Sequence, residues 1–197
     1  MKQESSAPDG WRERKRRETL QRIAETGLKL FVENGYEATT LEAIAAASGI
    51  SARTFFYYFK SKEDILLAWQ QGMPEAVRAA ILAEAPDQRP VHLVRNAFLK
   101  LAVHFSSEHA VAIDRIVRST EQLRASNQAK FLSMEKAVFE ALSEHWPQAR
   151  RRRALQVVAM ACVGAMRLSV DAWADEGGQK PLASFIRQIF SALEDEL

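Results

Sequence analysis

The sequence predicts an all-α protein of about nine helices, and three observations support that fold class. Apolar residues recur at spacings of three and four over most of the chain, as they do on the buried side of a helix. No stretch shows the apolar–polar alternation of a half-buried strand. Proline and glycine stand mainly between the periodic segments, where they end helices. With 197 residues, 47% of them hydrophobic, the chain can bury a sizeable core.

The first helix is predicted from about Arg12 or Glu18 to Asn34, because Gly35 follows as a stop signal. It should pack behind the helices that follow. Its apolar side consists of Leu20, Ile23, Ala24, Gly27, Leu28, Leu30 and Phe31.

Residues 1–16 are expected to form a basic, flexible N-terminal arm. The run RERKRR (12–17) is basic at every position except one. A run of this kind is usually a solvated segment. Directly before a nucleic-acid-binding helix, however, it can lie along phosphates. Arg16 and Arg17 are the candidates for that contact.

Residues 39–66, TTLEAIAAASGISARTFFYYFKSKEDIL, contain the next three helix starts. Thr39 or Thr40 can cap the first of them, and Glu42, three residues after Thr39, would complete a capping box. Gly49 is suited to the left-handed position past the end of that helix. The stretch therefore begins with a short helix and a tight turn.

A second short helix is predicted after Ser51, with Phe55 and Phe59 as buried anchors. Ser61 caps a third helix, and Asp64 places negative charge at its N-terminus. A helix, a glycine-containing turn and a second helix make up the helix-turn-helix, whose second helix enters the DNA major groove.

The polar residues of the second helix fit such a role. Arg53 can bond a guanine edge, and Thr54 can contact a base or a thymine methyl group. The candidates for phosphate contacts are Tyr57, Tyr58, Lys60 and Lys62. The alternative is a helical hairpin with aromatic residues in its core and solvated lysines. At least one of the adjacent tyrosines should be exposed in either case.

Residues 17–66 resemble the DNA-binding domain of the TetR family, through LFVENGYEATT, LEAIAAASGIS and RTFFYYFKSKEDIL in that order. The resemblance implies a dimeric DNA-binding protein whose C-terminal domain binds a small molecule. Tyr58 takes a position where the family usually has histidine. By position, the residues implied to face DNA are Thr40, Ser51, Arg53, Thr54, Tyr57, Tyr58 and Lys62.

This resemblance implies a DNA-binding domain over residues 17–62 and a helical ligand-binding and dimerisation domain over residues 63–197. The helix that opens at Ser61 should continue toward Leu82, with a kink or break at Pro74. The last two helices combine small and apolar residues, which allow close helix packing. We expect them to form a homodimer interface; the alternative is the buried centre of a monomer.

An apolar effector pocket is expected among the C-terminal helices. An arginine there could meet an anionic head group, or it could be exposed or paired with Asp114, Glu121 or Asp171. Aromatic and methionine residues at helical spacing are more often core than pocket, so half or more of the apolar candidates should be core. The candidate lining residues are Trp69, Phe98, Phe105, Arg118, Met134, Met160 and Arg167.

Within the TetR family, RERKRRET, RTFFYYFKSKEDIL and DAWADEGGQKPLASFIRQIF resemble the mycofactocin-system regulators. That resemblance implies an acyl-CoA-like ligand. The four arginines at 150–153 could contact CoA phosphates, although exposure to solvent is the simpler interpretation.

Other classes of protein fit less well. The four histidines are scattered, and no Gly-rich phosphate loop occurs, so neither an enzyme nor a metal or other cofactor is expected. The single Cys162 and the missing signal peptide favour a cytoplasmic protein. The apolar run 154–166 is shorter than the ~20 residues of a membrane span. We expect a ligand-responsive repressor that binds a palindromic operator; the alternative is a DNA-binding dimer without an effector.

Overall fold

A computed structural model describes residues 7–70, 72–103, 107–119 and 121–196, with their side chains except at 7–9, 12, 69–70 and 107–109. These residues form ten α-helices, one short 3-10 helix (Ala149–Arg151) and no strand, which confirms the predicted all-α class. The α-helices are α1 (Ala7–Asn34), α2 (Leu41–Ala47), α3 (Ala52–Tyr58), α4 (Lys62–Gln70), α5 (Met73–Leu82), α6 (Pro90–Ala102), α7 (Ser107–Ser119), α8 (Glu121–His145), α9 (Arg152–Asp175) and α10 (Leu182–Glu196).

The chain divides into two compact units, with the division after Gln70. In the first unit α1 packs on α2 and α4, and α2 packs on α3. Gly27 allows α1 to approach α4 closely, because a Cβ there would lie 2.8 Å from Cγ2 of Ile65. The buried residues of the first unit include Ile23, Ala24, Leu28, Phe31, Ile44, Ala45, Phe55, Phe59, Ile65 and Leu66.

Helix α1 begins at Ala7, so residues 7–16 are helical and the flexible arm predicted there is wrong. Residues 1–6 of that arm lie outside the described part of the chain. The basic run has no apolar periodicity, but arginine, lysine and glutamate all favour helix. The Lys15 ammonium also lies 4.9 Å from the centre of the Trp11 ring, one turn away. Local propensity therefore extends the helix beyond its packed portion.

The helix predicted from Ser61 toward Leu82 is interrupted, because α4 ends at Gln70 and α5 begins at Met73 with Pro74 in its first turn. Proline lacks an N–H group, so the first turn is the helical position where it fits. This break accounts for ten helices in place of about nine. The first unit also extends to Gln70, because α4 packs on α1. The sequence analysis had placed the domain boundary after Lys62.

The second unit consists of α5 to α10, in which α8 packs on α5 and α9, and α9 packs on α10. Cys162 lies in its core, and burial together with Glu194 raises the pKa of this thiol to about 12. The segment Ala149–Asp175 is long and apolar enough to span a membrane on length and composition alone. Its inner side nevertheless belongs to the core, as the largely buried Leu155, Cys162 and Trp173 show.

Candidate DNA-binding interface and effector-binding unit

Helix α2 is capped by Thr40, whose Oγ1 accepts a hydrogen bond from the N–H of Ala43 at 3.1 Å. Thr39 is buried and donates instead to the carbonyl oxygens of Gly35 (2.8 Å) and Leu30 (3.1 Å). The capping box predicted between Thr39 and Glu42 is therefore wrong, because the end of α1 takes up the Thr39 hydroxyl. Thr40 remains exposed at the helix start.

The turn between α2 and α3 depends on Gly49, whose φ of 69° lies in the left-handed region. The N–H of Gly49 bonds the carbonyl of Ala46, and the N–H of Ile50 bonds the carbonyl of Ala45. Ser51 then caps α3, since its Oγ accepts from the N–H of Thr54 at 3.1 Å. The predicted helix, turn and second helix are all present.

Helix α3 has one buried and one exposed side. Phe55 and Phe59 are buried, as predicted. Arg53 and Tyr57, four residues apart, occupy the opposite side, and Tyr57 is 74% exposed. Phe56 is also exposed, at 42%, which the sequence analysis missed. Because Phe55 and Phe59 are buried on one side of the helix, Phe56 is turned outward.

Thr54 and Tyr58 lie beside this exposed side of α3. Thr54 is exposed, and its hydroxyl lies 2.8 Å from that of Ser51. Tyr58 is half-buried and packs edge-to-face on Tyr57, with ring centres 5.2 Å apart. The helix thus presents a cation, two hydroxyl groups at its start and two phenols to the outside.

The start of α4 is fixed by a reciprocal cap, in which Ser61 caps the helix as the sequence predicts. Asp64 accepts from the N–H groups of Lys60 (2.8 Å) and Ser61 (3.2 Å), and the Ser61 hydroxyl accepts from the N–H of Asp64. Lys60 itself is exposed.

Lys62 is bound within the first unit rather than free at its surface. Its Nζ donates to the carbonyl of Tyr36 at 2.7 Å and lies 4.4 Å from the centre of the Tyr36 ring. The Tyr36 hydroxyl in turn donates to Glu63, and burial together with Glu63 raises the pKa of Tyr36. Lys62 therefore holds the loop after α1 against α4.

Arg16 and Arg17 are exposed on α1, two helical turns before Ile23 and Ala24. Residues seven apart lie on the same side of a helix. Both arginines are therefore on the side of α1 that, further along, faces the rest of the first unit.

The candidate effector residues do not come together in one site. Phe98 and Met134 are buried in the core of the second unit. Met160 and Arg167 are exposed on α9. The side chain of Trp69 and the whole of Phe105 lie outside the described residues.

Arg118 is ion-paired, which is one of the alternatives that the sequence analysis left open for the arginines. Its guanidinium bonds Asp114 at 2.6 Å and Asp171 at 2.7 Å, and it approaches Asp175 at 3.7 Å. Burial nonetheless raises the pKa of Asp114, with Arg118 opposing. The guanidinium of Arg118 is thus bonded to carboxylates on α7 and α9.

The sequence analysis missed Lys130, a half-buried cation of α8. Burial lowers its pKa to about 8, although the carboxylates of Asp114 and Asp171 oppose that shift. Lys130 lies seven residues after buried Leu123 and four before buried Met134. That spacing was readable from the sequence as a lysine on an apolar stripe.

Two surface features lie beside the exposed side of α9. Val157, Met160 and Leu168 are exposed there, each by more than half. A cleft of about 150 Å³ is lined by Val157 and other apolar residues of α6, α9 and α10, and also by Arg89 and Glu194. Among the described residues, no group of three or more His, Cys, Asp or Glu side chains could hold a metal ion.

Two family models match this chain. Residues 23–69 match the bacterial regulatory proteins of the tetR family, and residues 88–197 match the MftR C-terminal domain. The regulator TcmR of Streptomyces glaucescens is 38% identical over 89 residues, 45% of this chain and 39% of that protein. The activator FasR of Mycolicibacterium smegmatis is 25% identical over 148 residues, 73% of this chain and 65% of that protein. The chain thus spans less than two thirds of either relative.

Solved structures share the fold. Thermus thermophilus FadR in complex with lauroyl-CoA has a TM-score of 0.61 at 23% identity, covering 88% of this chain and 92% of that one. Bacillus subtilis FadR in complex with stearoyl-CoA has a TM-score of 0.59 at 19% identity, covering 87% and 96%.

Proposed function

This chain belongs to the TetR family of bacterial transcriptional regulators, and we propose that it is a repressor whose homodimer binds a palindromic operator and is released by a small hydrophobic effector of the acyl-CoA type. The observation that carries the DNA-binding part is the exposed side of α3, with Arg53 and Tyr57 opposite two buried phenylalanines. Such a helix, held rigidly by the caps and turn before it, suits the major groove.

In this proposal Arg53 bonds a guanine edge and Thr54 contacts an adjacent base. Lys60, Arg16 and Arg17 supply exposed charge for the phosphates. The hydroxyl groups of Thr40, Ser51, Tyr57 and Tyr58 add phosphate contacts; that of Thr40 accepts from a backbone N–H and can still donate. Lys62 contributes indirectly, because its ammonium holds the loop that follows α1.

The dimer interface in this proposal is formed by α9 and α10. Val157, Met160 and Leu168 recur at helical spacing on the exposed side of α9, with Ala161 and Gly164 between them. Small residues let two helices approach closely, and a two-fold axis would repeat the same patch on both subunits. Met160 is then an interface residue rather than part of the effector pocket. The two recognition helices would lie about one DNA turn apart, ~34 Å.

The effector class is inferred from the FadR relatives that hold lauroyl-CoA and stearoyl-CoA. The core of the second unit is apolar and includes Phe98 and Met134, so an acyl chain that entered it would have to separate packed helices. Release from DNA requires that the effector bind the DNA-competent and DNA-incompetent states with different affinity.

A binding titration on the DNA flanking its own gene tests the proposal, at two salt concentrations and with a panel of long-chain acyl-CoAs. We expect tight, salt-dependent binding that one acyl-CoA weakens. Binding that no acyl-CoA disturbs would contradict the effector class and leave the regulator. A chain that binds neither this DNA nor random genomic fragments would contradict DNA recognition in the apo state.

A further inference from the structure

The cleft beside the exposed side of α9 is a small apolar site that is open to solvent. Its apolar wall is contributed by the start of α6, by α9 and by the end of α10, and includes Val91, Val158 and Leu193. Val157 also lines it and is 62% exposed, so a ligand can enter from outside. An apolar cavity of about 150 Å³ holds a group the size of a benzene ring. A lauroyl chain is larger, so this site is distinct from that of the proposed acyl-CoA effector.

The charged groups of the cleft leave one cation without a partner. Glu194 lines the cleft, but its two carboxylate oxygens lie 2.8 Å from Arg95 and 3.5 Å from His92. Arg89 also lines the cleft, is exposed, and has no ion pair or side-chain hydrogen bond among the described residues. Burial, helped by Glu194, raises the pKa of the Cys162 thiol to about 12, so this lining residue is neutral. Arg89, Arg95 and Glu194 together carry one net positive charge.

We propose that this cleft binds a small hydrophobic carboxylate, with the carboxylate on the guanidinium of Arg89 and the apolar part against the wall formed by α6, α9 and α10. A guanidinium can donate two parallel hydrogen bonds to a carboxylate. The positive end of the α6 dipole lies at the same place, since α6 begins at Pro90, which also lines the cleft. A neutral ligand of the same size would gain only the apolar contacts. Benzoate and hexanoate are the simplest ligands of this class.

The other possible occupant is a second copy of the chain, because Val157 and Ala161 belong both to the cleft and to the proposed dimer interface. A two-fold axis would bring the same patch of α9 from the partner subunit. The exposed large residues of that patch, Val157, Met160 and Leu168, are apolar and supply no carboxylate for Arg89. The free cation therefore favours a carboxylate ligand.

The test is an NMR titration of the wild-type protein, labelled at its valine and leucine methyl groups. Benzoate is compared with benzyl alcohol, and hexanoate with hexanol, so that each pair differs in charge at one end. Ligands of this size should bind with dissociation constants of about a millimolar. Each carboxylate should bind about threefold to tenfold more tightly than its alcohol. The methyl signals that shift should be those of Val91, Val157, Val158 and Leu193.

Two substitutions separate the charge from the apolar wall. Arg89→Met should remove the preference for carboxylates and leave the binding of the alcohols unchanged. Val91→Phe should weaken the binding of all four ligands by about tenfold or more, because the larger ring occupies the cleft. The matched control is Arg167→Met, which should keep the preference. Arg167 is also exposed and has no ion pair among the described residues, but it does not line the cleft.

Three results would overturn the proposal: equal binding of carboxylates and alcohols by the wild-type protein, a preference that survives in Arg89→Met, or methyl shifts confined to residues outside the cleft. If the partner subunit fills the cleft, the wild-type protein binds none of the four ligands, and that result would overturn the proposal as well. Operator binding by the same preparation, with and without lauroyl-CoA, judges the proposed function independently.

Discussion

The two compact units use their charged residues in opposite ways. In the first unit Arg53 and Lys60 point outward and have no ion pair among the described residues. In the second unit Arg118 and Lys130 are turned toward carboxylates on other helices. Exposed cations suit a polyanion such as DNA, whose phosphates come from outside. A cation that is already ion-paired, like Arg118, or half-buried, like Lys130, is less available to such a polyanion.

The largest effect is expected from a substitution that unfolds the recognition helix α3 and leaves the second unit intact. Phe55→Ala should cost ~3–5 kcal/mol, because it leaves a cavity under a seven-residue helix whose anchor is fully buried. Operator binding should be lost, and acyl-CoA binding should remain. Chemical denaturation followed by circular dichroism, together with both binding assays, checks this outcome.

The matched control for Phe55→Ala is Leu142→Ala in α8, which makes a cavity in the other core. Leu142→Ala should weaken effector binding more than DNA binding. If either substitution abolished both activities together, the two units would not be separable and the comparison would fail.

The next effect concerns the outward-facing cation of α3. Arg53→Ala should weaken operator binding by ~1–3 kcal/mol and relax specificity at one base position, because a bidentate contact to guanine is lost. Fold stability should not change, since Arg53 is exposed. Titration against operator variants with single base changes measures the effect.

Lys60→Ala is the control for Arg53→Ala. It should weaken binding almost equally on all sequences and reduce the salt dependence, because a phosphate contact carries no base information. A sequence-independent loss for Arg53→Ala would remove Arg53 from base recognition.

The sequence predicts the recognition elements well because their determinants are local. Ser51, Gly49 and the Ser61–Asp64 cap act within four residues of themselves. Prediction from the sequence fails where the hydrogen-bond partner is distant. Thr39 caps no helix because its hydroxyl donates to a carbonyl at the end of α1, and Lys62 donates to the carbonyl of Tyr36.

The second unit was harder to predict for the same reason. Arg118, a candidate for the effector, is held by Asp171, fifty-three residues away. Lys130 lies on an apolar stripe, but only the fold shows that the carboxylates of Asp114 and Asp171 are near enough to influence its pKa. A single sequence contains no signal for such contacts across three helices.

A smaller effect is the pH dependence of stability caused by Lys130. Its pKa falls from 10.5 to about 8 on folding, so the unfolded chain binds more protons between these values. Stability should therefore rise with pH in that window, and below pH 8 the full cost of burying the charge is present. The free energy of unfolding of the wild-type protein should gain ~1 kcal/mol from pH 7 to pH 9 relative to Lys130→Met. Urea denaturation at both pH values measures this difference.

The smallest expected effect belongs to Lys136, on the same helix as Lys130 but on its outer side. Its ammonium lies 3.8 Å from Glu140, and 77% of its side chain is exposed. Solvent screens such a pair, so Lys136→Ala should change stability by no more than ~0.5 kcal/mol. If Lys136→Ala reproduced the stability change expected for Lys130→Met between pH 7 and pH 9, that change would come from the general charge of α8. The position of Lys130 in the fold would then not explain its effect on stability, and the contrast between the cations of the two units would fail.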